Sequence, residues 1–305
     1  MTHRAVVTTD IEVALAALRA GGLVAIPTET VYGLAADAAD PQAVARIFAA
    51  KGRPVDHPLI VHIASAELLP HWAADVSPAA ATLAASCWPG PLTLVVRRAP
   101  HVIDAVTGGH PTVGVRVPAH PATLELLERF GGGLAAPSAN RFGHVSPTTV
   151  AHVLADLGDV VDVVLDGGPC PIGVESTIVD CSVDPPQILR PGGIPTEEIE
   201  ELLGGRLAAA AGPSRAPGML AGHYAPRAQV VLVSSSDEAA RVVDGGSGVA
   251  VIDHGDDLVG YARSLYAELR AADERGDRLV VAVLPPAAGL GHALRDRLAK
   301  AAAGR

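Results

Sequence analysis

The stretch IPTETVYGLAADA, residues 26–38, decides how this chain is read. It overlaps the run GGLVAI, residues 21–26, whose unbroken apolar character predicts a buried strand. At the exit of that strand stand two threonines, a glutamate, a tyrosine and a glycine. Thr28, Thr30 and Tyr32 alternate as residues do at a strand end or in an extended loop, and Gly33 lets the backbone turn or approach a ligand. Taken alone, such hydroxyls serve a well-satisfied loop. At the end of a buried strand they also stand where α/β folds bind ligands, so the surrounding chain has to decide between the two.

Upstream, DIEVALAALRA, residues 10–20, has the apolar spacing of a helix, with Asp10 as its N-cap and the following Gly-Gly as its stop. Downstream, DPQAVARIFAAKG predicts a second helix with Asp40 at the cap and Pro41 in the first turn. HPLIVHI predicts another buried strand, as do PLTLVVRR, TVGVRVP and the first part of GGGLAAPSAN; residues 77–86, 121–130 and 147–157 read as helices, the last capped by Ser146. VDVVLDGG, ESTIVDCS and PQILRPG add three strands too closely spaced for helical crossovers between all of them. The expectation is an α/β fold with a mixed sheet containing antiparallel hairpins. Helix breakers then crowd residues 204–228, after which strand and helix alternate as in a small Rossmann-like domain.

Bulk properties narrow the function. At 305 residues the chain accommodates two domains, and with aromatics at 3% the cores must be built from Val, Leu, Ile and Ala. A formal net charge of -10 argues against broad nucleic-acid binding, though a local basic pocket is compatible with it. Cys87, Cys170 and Cys181 are odd in number and far apart, which fits a reduced compartment and neither a zinc nor a disulfide framework. No run approaches the roughly 20 apolar residues of a membrane span and the N-terminus lacks a signal core, so the expectation is a cytoplasmic protein without a stable membrane partner.

Several polar groups share the placement of the opening stretch. In KGRP, Lys51 and Arg53 flank a glycine after a helix and can converge on one carboxylate or phosphate, a compact charge beside a directional fork; a solvated surface pair is the plainer alternative. PSANRFGHVSPT offers Ser138 and Asn140 to a nucleotide or phosphate. GVESTIVD and ILRPGG contribute Ser176, Thr177 and Arg190, the last at a strand end before a turn. Neither GxxxxGK[ST] nor GxGxxG occurs in these places, which disfavours an ordinary P-loop. Glu29, beside two threonines, is either a base or a structural carboxylate, and Asp166 after VDVVL either meets a metal or faces solvent. Neither defines a metal site.

Together PTETVYGL, KGRP followed by PLIVHI, PSAN with SPT, ESTIVD, LRPG and PGMLAGHYAP resemble the threonylcarbamoyl-AMP synthase family in its long two-domain form, over nearly all of the chain. The resemblance implies a curved mixed-sheet catalytic domain over residues 1–205, a linker at 206–228 and a small Rossmann-like domain at 229–305. It implies synthesis of L-threonylcarbamoyladenylate from L-threonine, bicarbonate or CO2, and ATP with Mg2+, releasing diphosphate. Separate tRNA threonylcarbamoyl-transfer enzymes then use the product, and direct tRNA binding stays open. It further implies Lys51 and Arg53 as the catalytic pair. Thr30, Tyr32, His62 and Arg116 would contact threonine. Ser138, Asn140, Ser146, Ser176, Arg190 and Tyr224 would lie around the nucleotide with Lys51 and Arg53. Two departures stand out, His57 where the family often has asparagine and Phe142 where serine is common.

On this reading Lys51 and Arg53 are cavity side chains, either of which can be replaced by alanine without unfolding the chain. PSRAPGMLAGHYAP, residues 213–226, becomes an active-site gate in which Tyr224 closes over the substrates. Two other readings compete: a different carbamoyl-adenylate-handling transferase, and a noncatalytic RNA-binding protein, which the acidic balance and the lack of basic stripes weaken.

Overall fold

The computed structural model describes residues 4–211, 217, 224–243 and 246–304. Most of the proposed gate, including Met219, lies outside these residues. Among them the larger sheet has eleven strands: β1 Val6–Thr8, β2 Val24–Ile26, β3 Gly33–Asp37, β4 Ile60–His62, β5 Leu92–Arg97, β6 Thr112–Arg116, β7 Leu134–Ala135, β8 Val163–Leu165, β9 Thr177–Asp180, β10 Gln187–Arg190 and β11 Ala208–Ala209. Their order across the sheet is β1-β8-β2-β3-β7-β4-β6-β5-β9-β10-β11. The pairing is mixed: β2 with β3, β5 with β6 and β9 with β10 are antiparallel, whereas β4 with β6 and β5 with β9 are parallel.

The predicted helices form with their predicted caps where those caps are local. α1 Ile11–Arg19 starts where Asp10 accepts the Glu12 amide, and α2 Pro41–Lys51 where Asp40 accepts that of Gln42. They are followed by α3 Leu69–Trp72, α4 Pro78–Cys87, α5 Asp104–Thr107, α6 Pro121–Phe130, α7 Val150–Leu157 and α8 Thr196–Leu203. Ser146 does not cap α7. That role falls to Thr149, whose hydroxyl accepts the His152 amide, because Ser146 is drawn instead to a buried carboxylate.

The twofold alternation of strands sorts side chains between the faces. Ala25, Leu34, Val61, Leu94 and Val115 enter the core beneath α2 and α4. Val24, Ile26, Ala35 and Leu134 point the other way, beneath α1 and α6. By the same parity Gly33, Ile60, His62 and Arg116 belong to this second face, and the cavity opens among them.

The smaller domain is a parallel sheet of three strands, β12 Gln229–Val233, β13 Val249–Ile252 and β14 Leu279–Val283, in the order β12-β14-β13. It carries α9 Ser236–Val243, α10 Leu258–Arg275 and α11 Leu290–Ala302. The two domains share apolar packing: Val31, Val145 and Val174 of the larger join Tyr224, Leu265, Tyr266, Leu269 and Leu294 in one buried cluster. No helix among the described residues is long and apolar enough to cross a membrane.

Candidate active site

The hydroxyls of the opening stretch have two employments. Thr28 Oγ1 donates to the Val31 carbonyl at 2.6 Å, accepts the Thr30 and Val31 amides at 3.2 Å each, and meets Thr30 Oγ1 at 2.8 Å. That network folds residues 27–32 into the connection between antiparallel β2 and β3. Thr30 Oγ1 also receives Arg116 Nη1 at 3.0 Å and lines the cavity. Gly33 makes no left-handed turn; it begins β3, where a Cβ would stand 3.3 Å from that of Ala136. Its bareness serves close approach beside the cavity.

Glu29 is spent on structure. One carboxylate oxygen takes Arg116 Nη2 at 2.7 Å and the other takes the Ala119 amide at 3.0 Å, with both side chains buried. Arg116 Nε reaches the Gly90 carbonyl, so the guanidinium is fixed on three sides. Nearby His62 is buried with Nδ1 unpartnered, and burial together with the Arg116 charge pushes its pKa down to about 3. The imidazole is therefore neutral across the physiological range. Asp166 accepts the Gly168 amide at 2.9 Å and closes a turn.

Arg53 donates to the Pro58 carbonyl at 3.0 Å, leaves Nε buried without a partner, and lies 5.7 Å from the Phe142 ring centroid. The two family departures meet here, since the His57 and Phe142 rings lie against each other at a tilt of 52° with centroids 5.6 Å apart. Burial lowers the Arg53 pKa to about 10, still a cation at neutral pH. Arg190 holds Ser176 through its carbonyl at 2.9 and 3.1 Å and its hydroxyl at 3.1 Å, and it reaches the Pro217 carbonyl of the linker at 3.1 Å.

These groups line a cleft of about 550 Å³ that is partly open to solvent, within which the cavity volume is about 50 Å³. Eight of the twelve predicted site residues line it: Thr30, Arg53, His62, Arg116, Ser138, Ser176, Arg190 and Tyr224. The other four stand behind the wall. Tyr32 is buried and donates to the Gly168 carbonyl at 2.7 Å, supporting the turn at Asp166. Lys51 sends its ammonium to the carbonyls of Ser138, at 2.5 Å, and Asn140. Burial, then the charge of Arg53, holds its pKa well below the usual lysine value. The Lys51 head is occupied by the PSAN loop. Asn140 Nδ2 donates to the Arg141 and His144 carbonyls at 2.8 and 2.9 Å, and Ser146 Oγ donates to Glu175 at 2.7 Å.

Sequence reasoning passed over Glu175, which lines the cavity and whose position directly before Ser176 was its only signal. It also passed over Arg297, whose link to the site is long range. Among the described residues no group of three or more His, Cys, Asp or Glu side chains gathers to hold a metal. Glu175, which lines the cavity, and Glu29, behind Arg116, are both committed to arginines. Chemically the cavity is a receptor for anions, with three guanidiniums aligned by carbonyls and carboxylates.

Comparison with known proteins agrees with this geometry. The Sua5/YciO/YrdC family model, described as telomere recombination, matches residues 16–192, and that of the threonylcarbamoyl-AMP synthase C-terminal domain matches residues 194–303. The chain is 43% identical to the threonylcarbamoyl-AMP synthase of Pyrococcus abyssi, covering 95% of this chain and 93% of that protein. It is 40% identical to the Bacillus subtilis synthase over 98% and 95%, respectively. The crystal structure of P. abyssi Sua5 complexed with L-threonine superposes with a TM-score of 0.90 at 42% identity, over 98% of this chain and 97% of that one.

Proposed function

Because the chain belongs to the threonylcarbamoyl-AMP synthase family, we propose that it condenses L-threonine, bicarbonate or CO2, and ATP into threonylcarbamoyl-AMP and diphosphate. The observation that carries this reading is the gathering of Thr30, His62 and Arg116 in one cavity with Arg53, Ser138, Ser176 and Arg190. The first group suits an amino acid that carries a carboxylate and a hydroxyl. The second suits phosphates.

In this mechanism the threonine amine and CO2 form an N-carboxylate, whose oxygen attacks the α-phosphorus while diphosphate leaves. Arg116, fixed by Glu29, Thr30 and Gly90, offers its remaining in-plane N–H bonds to the threonine carboxylate, and the neutral His62 takes a hydrogen bond in the same half. Arg53 and Arg190 stabilise the charge that develops at phosphorus and on diphosphate. Lys51 acts through the backbone of Ser138 and Asn140, setting the loop against the nucleotide. Tyr32, Asn140 and Ser146 hold the wall. Mg2+ arrives as part of the nucleotide substrate, since Glu29 and Glu175 are already paired and magnesium is often held mainly by phosphates. Alignment of the two reactants contributes toward the about 7–11 kcal/mol available from proximity.

We place the catalytic domain at residues 1–205, the linker at 206–228 and the small domain at 229–305. Pro217 and Tyr224 on the cavity wall support a linker that closes the site and protects the carbamate and adenylate from water. The product passes to separate tRNA threonylcarbamoyl-transfer enzymes, in a cytoplasmic setting. A cleft of this size favours small substrates over an RNA track. The test is mass spectrometry of purified protein given ATP, Mg2+, bicarbonate and threonine. Threonylcarbamoyl-AMP and diphosphate are expected, with no adenylate when threonine is omitted. A carbamoyl adenylate formed without threonine, or no product from folded protein, overturns the assignment.

A further inference from the structure

Glu175 is a buried carboxylate in the wall of a cavity assigned above to a triphosphate, and the residues that compensate it come largely from the other domain. Its Oε1 receives Ser146 Oγ at 2.7 Å. Its Oε2 receives Tyr266 Oη from α10 at 2.8 Å and Arg297 Nε from α11 at 2.7 Å. Arg297 is fully buried, the largest such side chain among the described residues, and its Nη2 also reaches the Pro191 carbonyl at 3.1 Å. Its guanidinium lies 5.1 Å from the centroid of the Tyr224 ring, which stacks in turn on Tyr266 at 5.7 Å. Arg190, one residue before Pro191, makes no ion pair with Glu175; its nitrogens go to Ser176 and Pro217.

We infer that Arg297 of the small domain is a positioning residue for the nucleotide half of the cavity: by pairing directly with Glu175 it spares Arg190 an ion pair there and leaves Arg190 and Arg53 directed toward phosphates, while it and Tyr266 seat the linker tyrosine. The inference rests on the proposed use of ATP and assigns the small domain a share in binding it. Without Arg297 the buried carboxylate either recruits Arg190, the other guanidinium in that wall, or stands uncompensated beside the triphosphate, and both outcomes oppose phosphate binding. The neighbouring charges leave no ready substitute. Asp296 and Lys300 flank Arg297 on α11: Asp296 takes both Arg297 Nη1 and, at 2.7 Å, the Lys300 ammonium.

The test is calorimetric titration of the full-length chain with ATP and Mg2+, with thermal melting as a check on folding. Arg297→Met weakens ATP binding tenfold or more and leaves threonine binding within about threefold. Adding Glu175→Gln to Arg297→Met removes the carboxylate that Arg297 balances, so the double variant returns to within about threefold of the parent. That double variant also keeps the test decisive if Arg297→Met alone does not fold, because a neutral pair carries no buried charge. A folded Arg297→Met chain that binds ATP as tightly as the parent overturns the inference and leaves the enzymatic assignment standing. So does a folded double variant that remains tenfold weaker, since the role would then be bulk packing. A parent chain that binds no ATP overturns both.

Discussion

Lys51 and Arg53 sit two residues apart and have the same sign of charge, yet they do different work. The Lys51 ammonium satisfies the carbonyls of Ser138 and Asn140, whereas Arg53 satisfies only that of Pro58 and keeps Nε unpartnered beside the cavity. A buried carbonyl left without a donor costs about 1–3 kcal/mol. Lys51→Ala takes a donor from both, but the Ser138 carbonyl keeps the Asn140 amide at 3.0 Å and only that of Asn140 is left bare, so the protein is destabilised by about 1–3 kcal/mol and the loop that carries Ser138 loosens. Arg53→Ala strips one, costing about 1–3 kcal/mol, but removes a cation aimed at developing charge, where the loss of one donor lowers turnover about 10²–10³-fold. Thermal melts and single-turnover rates of the two variants separate these effects. Equal melting temperatures together with equal rates would show that the two cations share one role.

Between elements, one close fit is where RPGG, leaving β10, crosses the start of β9. A Cβ on Gly192 would lie 2.3 Å from the Thr177 amide nitrogen and 2.4 Å from the Glu175 carbonyl oxygen, both backbone atoms that have no rotamer to escape into. Gly192→Ala must part the two segments, at a cost at or above the about 1–3 kcal/mol of ordinary overpacking, and it draws Ser176 away from Arg190. A lower melting temperature and weaker ATP binding are expected together. An unchanged melt would show that the segments give way freely. This contact marks where local reading stops. α1 and α2 were legible because their caps, Asp10 and Asp40, bond amides two residues on. β3 was not, since GLAAD has no β-branched residue and becomes a strand only by pairing with β2 and β7. In SPTT the sequence presents several hydroxyls before α7, and a carboxylate 29 residues away decides that Ser146 is not its cap. The cavity cations Arg53 and Arg190 were legible because each ends or follows a regular element, whereas Arg116 was carried by the family resemblance alone. Arg297, inside the charged pattern LRDRLAK, looks like any solvated helix residue until the domains meet.

At the scale of the molecule, two arginine–carboxylate pairs cross between the domains among the described residues, Glu175 with Arg297 at 2.7 Å and Asp156 with Arg270 at 2.9 Å, and His292 meets Glu197 at 3.1 Å. Around them lies the shared apolar cluster of Val31, Val145, Val174, Leu265 and Leu269. Although burial alone would raise the Glu175 pKa, the charges of Arg297 and Arg190 and the bonds from Ser146 and Arg297 hold it down to about 2. A depressed carboxylate pKa contributes stability that is fully present above the ordinary value near 4.5 and is lost as pH falls toward about 2. Because that stability belongs to the contact between domains, acid acts there first: the undocked state binds the proton more readily than the docked one. Trp72 and Trp88 are both buried in the larger domain, so their fluorescence reports its core, whereas the radius of gyration from small-angle scattering reports docking. Between pH 4.5 and pH 2 the radius of gyration is expected to rise before tryptophan emission shifts to the red. In Glu175→Gln/Arg297→Met, which has no charge to lose at this contact, the expansion moves to lower pH or merges with core unfolding. If parent and double variant instead expand at the same pH, Glu175 does not govern docking, and the Asp156–Arg270 pair becomes the group whose protonation has to be followed.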